Sequence, residues 1–228
     1  GVDAHAVVAP VEAIDVLVRM QAKATSPADP RCLAFHRSFD VPLLMWEFDH
    51  FLEYGIAARK GSPIDSGDEA TMRDEFRKIS ELLAGQPRVF VHRDYHSRNL
   101  MVADTRLGVI DFQDALMGPA TYDLASLLRD AYIALDESLI DRLIEYYLDQ
   151  LQDGRRLWTT RDAFRRLFDF TSIQRNLKAA GRGGPGRHAA RRSEERRRVE
   201  RRRLLGQLRA EDRPRQQGHQ RHFVLPER

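Results

Sequence analysis

The stretch that most restricts what this chain can become is residues 89–123, VFVHRDYHSRNLMVADTRLGVIDFQDALMGPATYD. Three oxygen-bearing side chains recur in it at fixed spacing: Asp94 in His92-Arg93-Asp94, Asn99 after four intervening residues, and Asp111 twelve positions later, ahead of Phe112-Gln113. Apolar runs fall between them. Val89, Phe90 and Val91 follow the turn signals Gly85 and Pro87 and read as a strand that delivers Asp94 onto a loop at its end. Residues 101–103 and 107–110 read as two more strands joined by the polar Asp104-Thr105-Arg106. That hairpin brings Asn99 and Asp111 together at its open ends. Carboxylate and amide oxygens suit a hard cation such as magnesium, and a loop carboxylate suits accepting the proton of a hydroxyl.

The order HRDxxxxN followed by Asp-Phe matches the protein-kinase signature. HRDYHSRN and then GVIDFQDALMGPATYDLASLLRDAY resemble the aminoglycoside phosphotransferase and choline kinase family of protein-kinase-like enzymes. The variants VHRDYHSRNLM, DFQDA and TYDL are most similar to the cell-wall-recycling kinases that phosphorylate N-acetylmuramate and N-acetylglucosamine at the anomeric hydroxyl. The likeness covers roughly residues 10–180 and is densest over 89–132. It implies ATP and Mg2+ as cofactors and a small-molecule sugar or amino-sugar acceptor. Asp94 would be the catalytic carboxylate, with Asn99 and Asp111 holding the metal. His92 and Arg93 would brace the loop, Asp123 would accept backbone hydrogen bonds from it, and His96 would touch either substrate or a supporting carboxylate. An aminoglycoside or choline kinase shares the same centre, and an inactive fragment or non-enzymatic binding module is the rival from another class. Gln113 stands where protein kinases carry glycine, and no long activation segment separates it from Gly118-Pro119, which favours a small acceptor over a protein.

The flanking sequence is helical, giving an α+β class: the mainly helical C-terminal lobe of a protein-kinase-like fold, with short strands around the catalytic loop. Ile14, Leu17 and Met20 mark a helix over 11–24. Asp40 caps a helix running through Tyr54, with Pro42 in its first turn and Gly55 at its end. Leu44, Phe48, Phe51 and Leu52 share one face of it, and Trp46, Glu47, Asp49 and His50 form either a solvated face or a substrate groove. Met72, Phe76, Ile79 and Leu83 mark a helix over 69–84, Pro119 opens a helix carrying Leu124, Leu127 and Leu128, and 137–151 is amphipathic. Thr160 caps a last helix that leads into Gln174-Arg175-Asn176-Leu177-Lys178. Upstream of His92 there is no glycine-rich hairpin and no strand bearing a phosphate-gripping lysine. Lys23 and Lys78 fall in helices, Lys60 in a loop, and Lys178 downstream. The expectation is a fragment without its N-terminal nucleotide lobe, with no cofactor-binding residues to assign for the nucleotide and little activity alone.

Composition divides the chain in two. Residues 181–228 hold fifteen Arg, no Lys and six acids, a net +9, so the net +3 of the whole leaves −6 on residues 1–180. The lobe is therefore assigned to 1–180, and 181–228 to an Arg-rich tail that is disordered or read out of frame, as GC-rich codons in a shifted frame yield Arg, Gly, Pro and Ala. Arg clusters can neutralise phosphates, but no aromatic residues interleave its main basic run, so nucleic acid is not the expected partner. Gly181, Gly183 and Gly186 match GxGxxG formally, yet a nucleotide fingerprint needs a preceding strand, and here a helix precedes. A lone Cys32 and the absence of a secretory leader or long apolar run place the expectation in the cytoplasm, away from any membrane.

Overall fold

In a computed structural model, the residues described are 4–26, 29, 31–103, 106–130, 134–151 and 160–182. The Arg-rich segment from residue 183 onward, and the Asp104-Thr105 turn, lie outside them.

Helix α1 (Ala4–Ala24) begins earlier than its apolar spacing indicates. Its Ile14 and Leu17 are fully buried against Leu124, Ile140, Tyr147, Phe164 and Phe168 from three later helices, the main apolar core. Asp40 caps α2 (Val41–His50), its side chain accepting from the Leu43 amide at 2.8 Å. The expected stop at Gly55 does not occur. The chain widens into a π-helical segment (Phe51–Ala57) and runs on through α3 (Ala58–Lys60), ending at Gly61 with φ 71°. Gly55 serves packing instead, since a Cβ there would stand 2.6 Å from the Phe51 ring. A left-handed C-terminal residue is the commoner use of glycine, and Gly61 fills it. Lys60 is thus the last helical residue rather than part of a loop.

Helix α4 (Ser66–Ala84) starts three residues before the expected Glu69 because Asp65 caps it, accepting from the Gly67 amide at 2.9 Å. Its Phe76 stacks on Phe48 of α2 with ring centroids 4.1 Å apart. Strand β1 (Arg88–Val91) then pairs antiparallel with β4 (Leu116–Pro119), in the register Val91↔Leu116 and Arg88↔Pro119. Strand β4 is a correction to the sequence reading: Pro119 ends a strand, and the helix opens two residues later as α5 (Thr121–Leu128). On its other side β4 is tied to residues 37–39, with Met117 N donating to Arg37 O and Phe39 N to Met117 O, both at 2.9 Å. Strands β2 (Leu100–Ala103) and β3 (Arg106–Val109) form the expected hairpin, one residue out of phase with the predicted 107–110.

Asp136 caps α6 (Glu137–Gln150) through the Leu139 amide, and Thr160 accepts from the Ala163 amide at the start of α7 (Arg161–Arg182). Gly181, in the last turn of α7, lies so close to α2 that an added Cβ would meet the His50 carbonyl and Phe51 backbone at 3.0 Å. Among the described residues no helix is long and apolar enough to cross a membrane.

Gly118 offers a test of the β1/β4 packing. A Cβ there would sit 2.6 Å from Phe39 and 3.3 Å from Val91. Phe39 cannot swing away, being buried and stacked on Tyr122 at 4.2 Å. Gly118→Ala should therefore cost about 1–3 kcal/mol through overpacking, read as a lower midpoint in thermal unfolding; an unchanged midpoint would show that the sheet has slack.

Candidate active site

Tyr95 anchors the loop that follows β1 from below: its ring is fully buried and its hydroxyl donates to Ala13 O at 2.7 Å. The loop's amides are anchored by Asp123, in the first turn of α5. That carboxylate accepts from His92 N at 2.7 Å through Oδ2 and from Arg93 N at 2.9 Å through Oδ1. Burial pushes the Asp123 carboxyl up to about 7, against the lowering pull of those two amides and of Arg175. A buried acid accepting hydrogen bonds in its charged form feels both effects, and here desolvation wins.

His92 joins the loop to the hairpin. Its Nε2 donates to Ile110 O at 2.9 Å, and its buried Nδ1 has no hydrogen-bond partner among the described residues. Burial lowers its pKa, so it stands as the neutral ring whose proton the Ile110 carbonyl fixes at Nε2. Arg93 takes φ 82°, a left-handed conformation an L side chain seldom adopts. Its guanidinium donates to Glu47 Oε1 at 2.7 Å.

Asp94 is half-buried at the next position. Its carbonyl accepts from His96 N at 3.0 Å and from Asn99 Nδ2 at 2.8 Å. The second bond commits the Asn99 amide nitrogen and leaves its oxygen as the group a cation could use. Ile110 N donates to Asn99 O at 3.1 Å, and Leu100 pairs with Val109, so Asn99 and Asp111 flank the open end of the β2–β3 hairpin. Asp111 is exposed and left-handed, with φ 69°, and accepts from Gln113 Nε2. Two non-glycine residues with positive φ, one preceding Asp94 and one at Asp111, concentrate backbone strain around the oxygen cluster, where strain at functional sites tends to gather. His96 is half-buried beside them, and Ser97 N is held by Asp130 Oδ2 at 2.9 Å.

Among the described residues no three His, Cys, Asp or Glu side chains gather as a metal cluster. The donors present, one carboxylate and one amide oxygen at the hairpin mouth, fit magnesium, which takes one or two protein oxygens and completes its shell with water and phosphate.

Sequence reasoning missed the layer behind Arg93. Glu47 is 1% exposed and holds both Arg93 and Lys178, each at 2.7 Å, while Gln174 Nε2 donates to its other oxygen at 2.7 Å. Burial alone would raise this carboxyl, but the charges of Lys178 and Arg93 bring it down to about 2. Glu47 thus lies on neither a solvated face nor an open groove. Asp49, from the same group, pairs with Arg73 of α4, and His50 meets Trp46 edge to face at 4.1 Å. A signal existed in the spacing of Gln174 and Lys178, four apart on one helix face. A separate cavity of about 390 Å³ runs along α7 between Asp162 and Ile173 and shares no residue with this cluster.

Comparison with known proteins identifies the family. The model of the phosphotransferase enzyme family matches residues 11–164. An N-acetylmuramate/N-acetylglucosamine kinase of Neisseria meningitidis is 36% identical over 172 residues, which cover 75% of this chain and 49% of that protein. One of the same name from Pseudomonas putida is 33% identical over 171 residues, covering 75% and 48%. A solved, ADP-bound aminoglycoside phosphotransferase is similar at a TM-score of 0.42 and 16% identity, over 74% of this chain and 64% of that one. The chain spans about half the length of the curated relatives it matches. Because the family model matches residues 11–164, more than half of the 228, this chain belongs to the phosphotransferase enzyme family.

Proposed function

We propose that this chain carries the acceptor and metal side of an ATP-dependent phosphotransferase acting on a small-molecule hydroxyl, with the anomeric hydroxyl of N-acetylmuramate or N-acetylglucosamine as acceptor. What supports the reading is that the Asn99 side chain bonds the Asp94 carbonyl while the hairpin register sets Asn99 and Asp111 at its open end. Asp94 accepts or orients the proton of the attacking hydroxyl, the one task with an acid–base character in this chemistry. Asn99 and Asp111 hold Mg2+, which neutralises charge on the phosphates. His92, Arg93 and Asp123 keep the loop in place. The acceptor class follows the two relatives named for these sugars.

The phosphates need a further grip. All four lysines of the chain lie on helices: Lys23 in α1, Lys60 in α3, Lys78 in α4 and Lys178 in α7. Lys78 is bound by Asp74 and Glu75, and Lys178 by Glu47. We infer that the 228-residue polypeptide by itself positions a triphosphate poorly and transfers phosphate slowly, since proximity supplies much of the catalysis. A protein-kinase-like nucleotide lobe supplied in fusion should restore it.

The test is an acceptor screen on such a fusion, with a lobe taken from a relative, using ATP, Mg2+ and N-acetylmuramate, N-acetylglucosamine, choline or kanamycin. Phosphorus NMR should report an anomeric sugar phosphate with the first two, formed faster than any product from choline or kanamycin. Preference for either of the latter two refutes the acceptor assignment. Rapid sugar phosphorylation by the unfused chain refutes the inference about the missing grip.

A further inference from the structure

Arg93 is held through every polar group it owns, by three different helices. Its amide donates to Asp123 on α5 at 2.9 Å, its carbonyl accepts from Arg175 Nη1 on α7 at 3.0 Å, and its guanidinium donates to Glu47 on α2 at 2.7 Å. The residue so fixed is the left-handed one that immediately precedes Asp94. A non-glycine residue in that region persists only where its surroundings over-determine it.

The grip is itself locked. Glu47 has both oxygens engaged, by Arg93, Lys178 and Gln174. Lys178 also donates to Tyr122 Oη at 3.0 Å, and Arg175 lies over the Tyr122 ring at 4.7 Å from its centre. Buried ion pairs add little stability over an apolar replacement of the same shape, so a network this dry points to a geometry being specified. Among the described residues, the only left-handed non-glycine backbone it touches is that of Arg93.

We propose that Glu47, Lys178 and Arg175 are positioning residues that hold Arg93 in its left-handed conformation and so aim the Asp94 carboxylate; what Asp94 does once aimed rests on the phosphotransferase reading. The arrangement makes α7 part of the active centre without contributing a group that touches the reacting atoms.

The test reads the loop directly, without turnover, so it can fail or succeed independently of the phosphotransfer reading. The 228-residue chain, labelled with 15N and 13C, is compared with Glu47→Gln, which keeps the shape and removes the charge, and with Arg175→Gln, which removes the bond to the Arg93 carbonyl. Arg175 is only half-buried, so that variant tests the idea even where Glu47→Gln fails to fold. The Arg93 amide should lose at least about tenfold in hydrogen-exchange protection in both, while Ile144 and Tyr147 in α6 keep theirs within about twofold. The Asp94 carboxyl carbon resonance should shift in the same variants. Arg175→Lys, which can still donate to the Arg93 carbonyl, should recover most of both signals. Unchanged protection at Arg93, an equal loss at Ile144 and Tyr147, or no recovery in Arg175→Lys would each overturn the proposal and leave the network as ordinary packing.

Discussion

Asp94→Asn is expected to reduce phosphate transfer by roughly a thousandfold, within the range that a positioned acid–base group contributes, while leaving the fold unchanged. The side chain is half-buried, and its backbone carbonyl, not its carboxylate, carries the bonds from His96 and Asn99. Asparagine is nearly isosteric, so the loop should close as before and substrate KM should move little. The loss should fall on kcat, because the missing interaction is with a proton that leaves the hydroxyl only as the bond to phosphorus forms. The measurement is steady-state transfer to N-acetylglucosamine by the lobe-bearing fusion, with thermal unfolding alongside. Turnover within about tenfold of the parent in a folded variant would remove Asp94 from the chemistry and point to simple positioning as the main catalytic device.

The stability of the lobe should fall as pH rises from about 5 to about 8, by roughly 3 kcal/mol from Asp123 alone at about 1.4 kcal/mol per pH unit. The direction follows from where the proton sits. Burial raises the folded carboxyl to about 7, while in the unfolded chain it titrates near the ordinary value of 3.8. Between those values the folded state holds a proton that the unfolded state has released. The contribution is therefore fully present below the unfolded value and is lost as pH climbs through the folded one. Asp123→Asn cannot ionise and should show no such slope from this position. It also sets an amide NH2 against one of the two backbone donors at 2.7 and 2.9 Å, a lost and opposed hydrogen bond worth about 1–3 kcal/mol. The variant should thus be clearly weaker than wild type near pH 5, with the gap narrowing toward pH 8. Urea denaturation at several pH values measures this, and a gap independent of pH would show that Asp123 is ionised throughout.

The parts of the fold that were legible in the sequence are those with local causes. Asp40 caps α2 and Thr160 caps α7 through bonds to residues three positions away, and α6 carries its apolar stripe in its own periodicity. The hairpin is local too, which is why the placement of Asn99 and Asp111 at its open end could be argued from spacing. What was not legible depends on distant partners. Leu116-Met117-Gly118-Pro119 has the composition of a turn, and it becomes a strand because β1, lying 28 positions upstream, and residues 37–39 saturate its backbone on both sides. Gly55 reads as a stop, yet it permits a wide turn where the Phe51 ring needs the room. Glu47 was misread most fully, because a charged residue among polar neighbours resembles a solvated face. Only its meeting with Lys178, across 131 positions, makes it half of an interior pair.

That separation also dictates when the centre can form. The loop around Asp94 is tied backward to Ala13 by Tyr95, 82 positions away, and forward to Arg175, again 82 positions away. The Gln174 bond to Glu47 closes a span of 127. On a ribosome the capped helices and the β2–β3 hairpin can take shape as they emerge, since their bonds are short-range. Asp94 leaves the tunnel with its backward anchor available and its forward one still unsynthesised, and long closures of this kind are slow. The loop around Asp94 thus gains its last anchors only when α7 docks, and a nascent chain halted before residue 174 would hold every residue of the HRDxxxxN signature without the bonds that α7 brings to it and to Glu47.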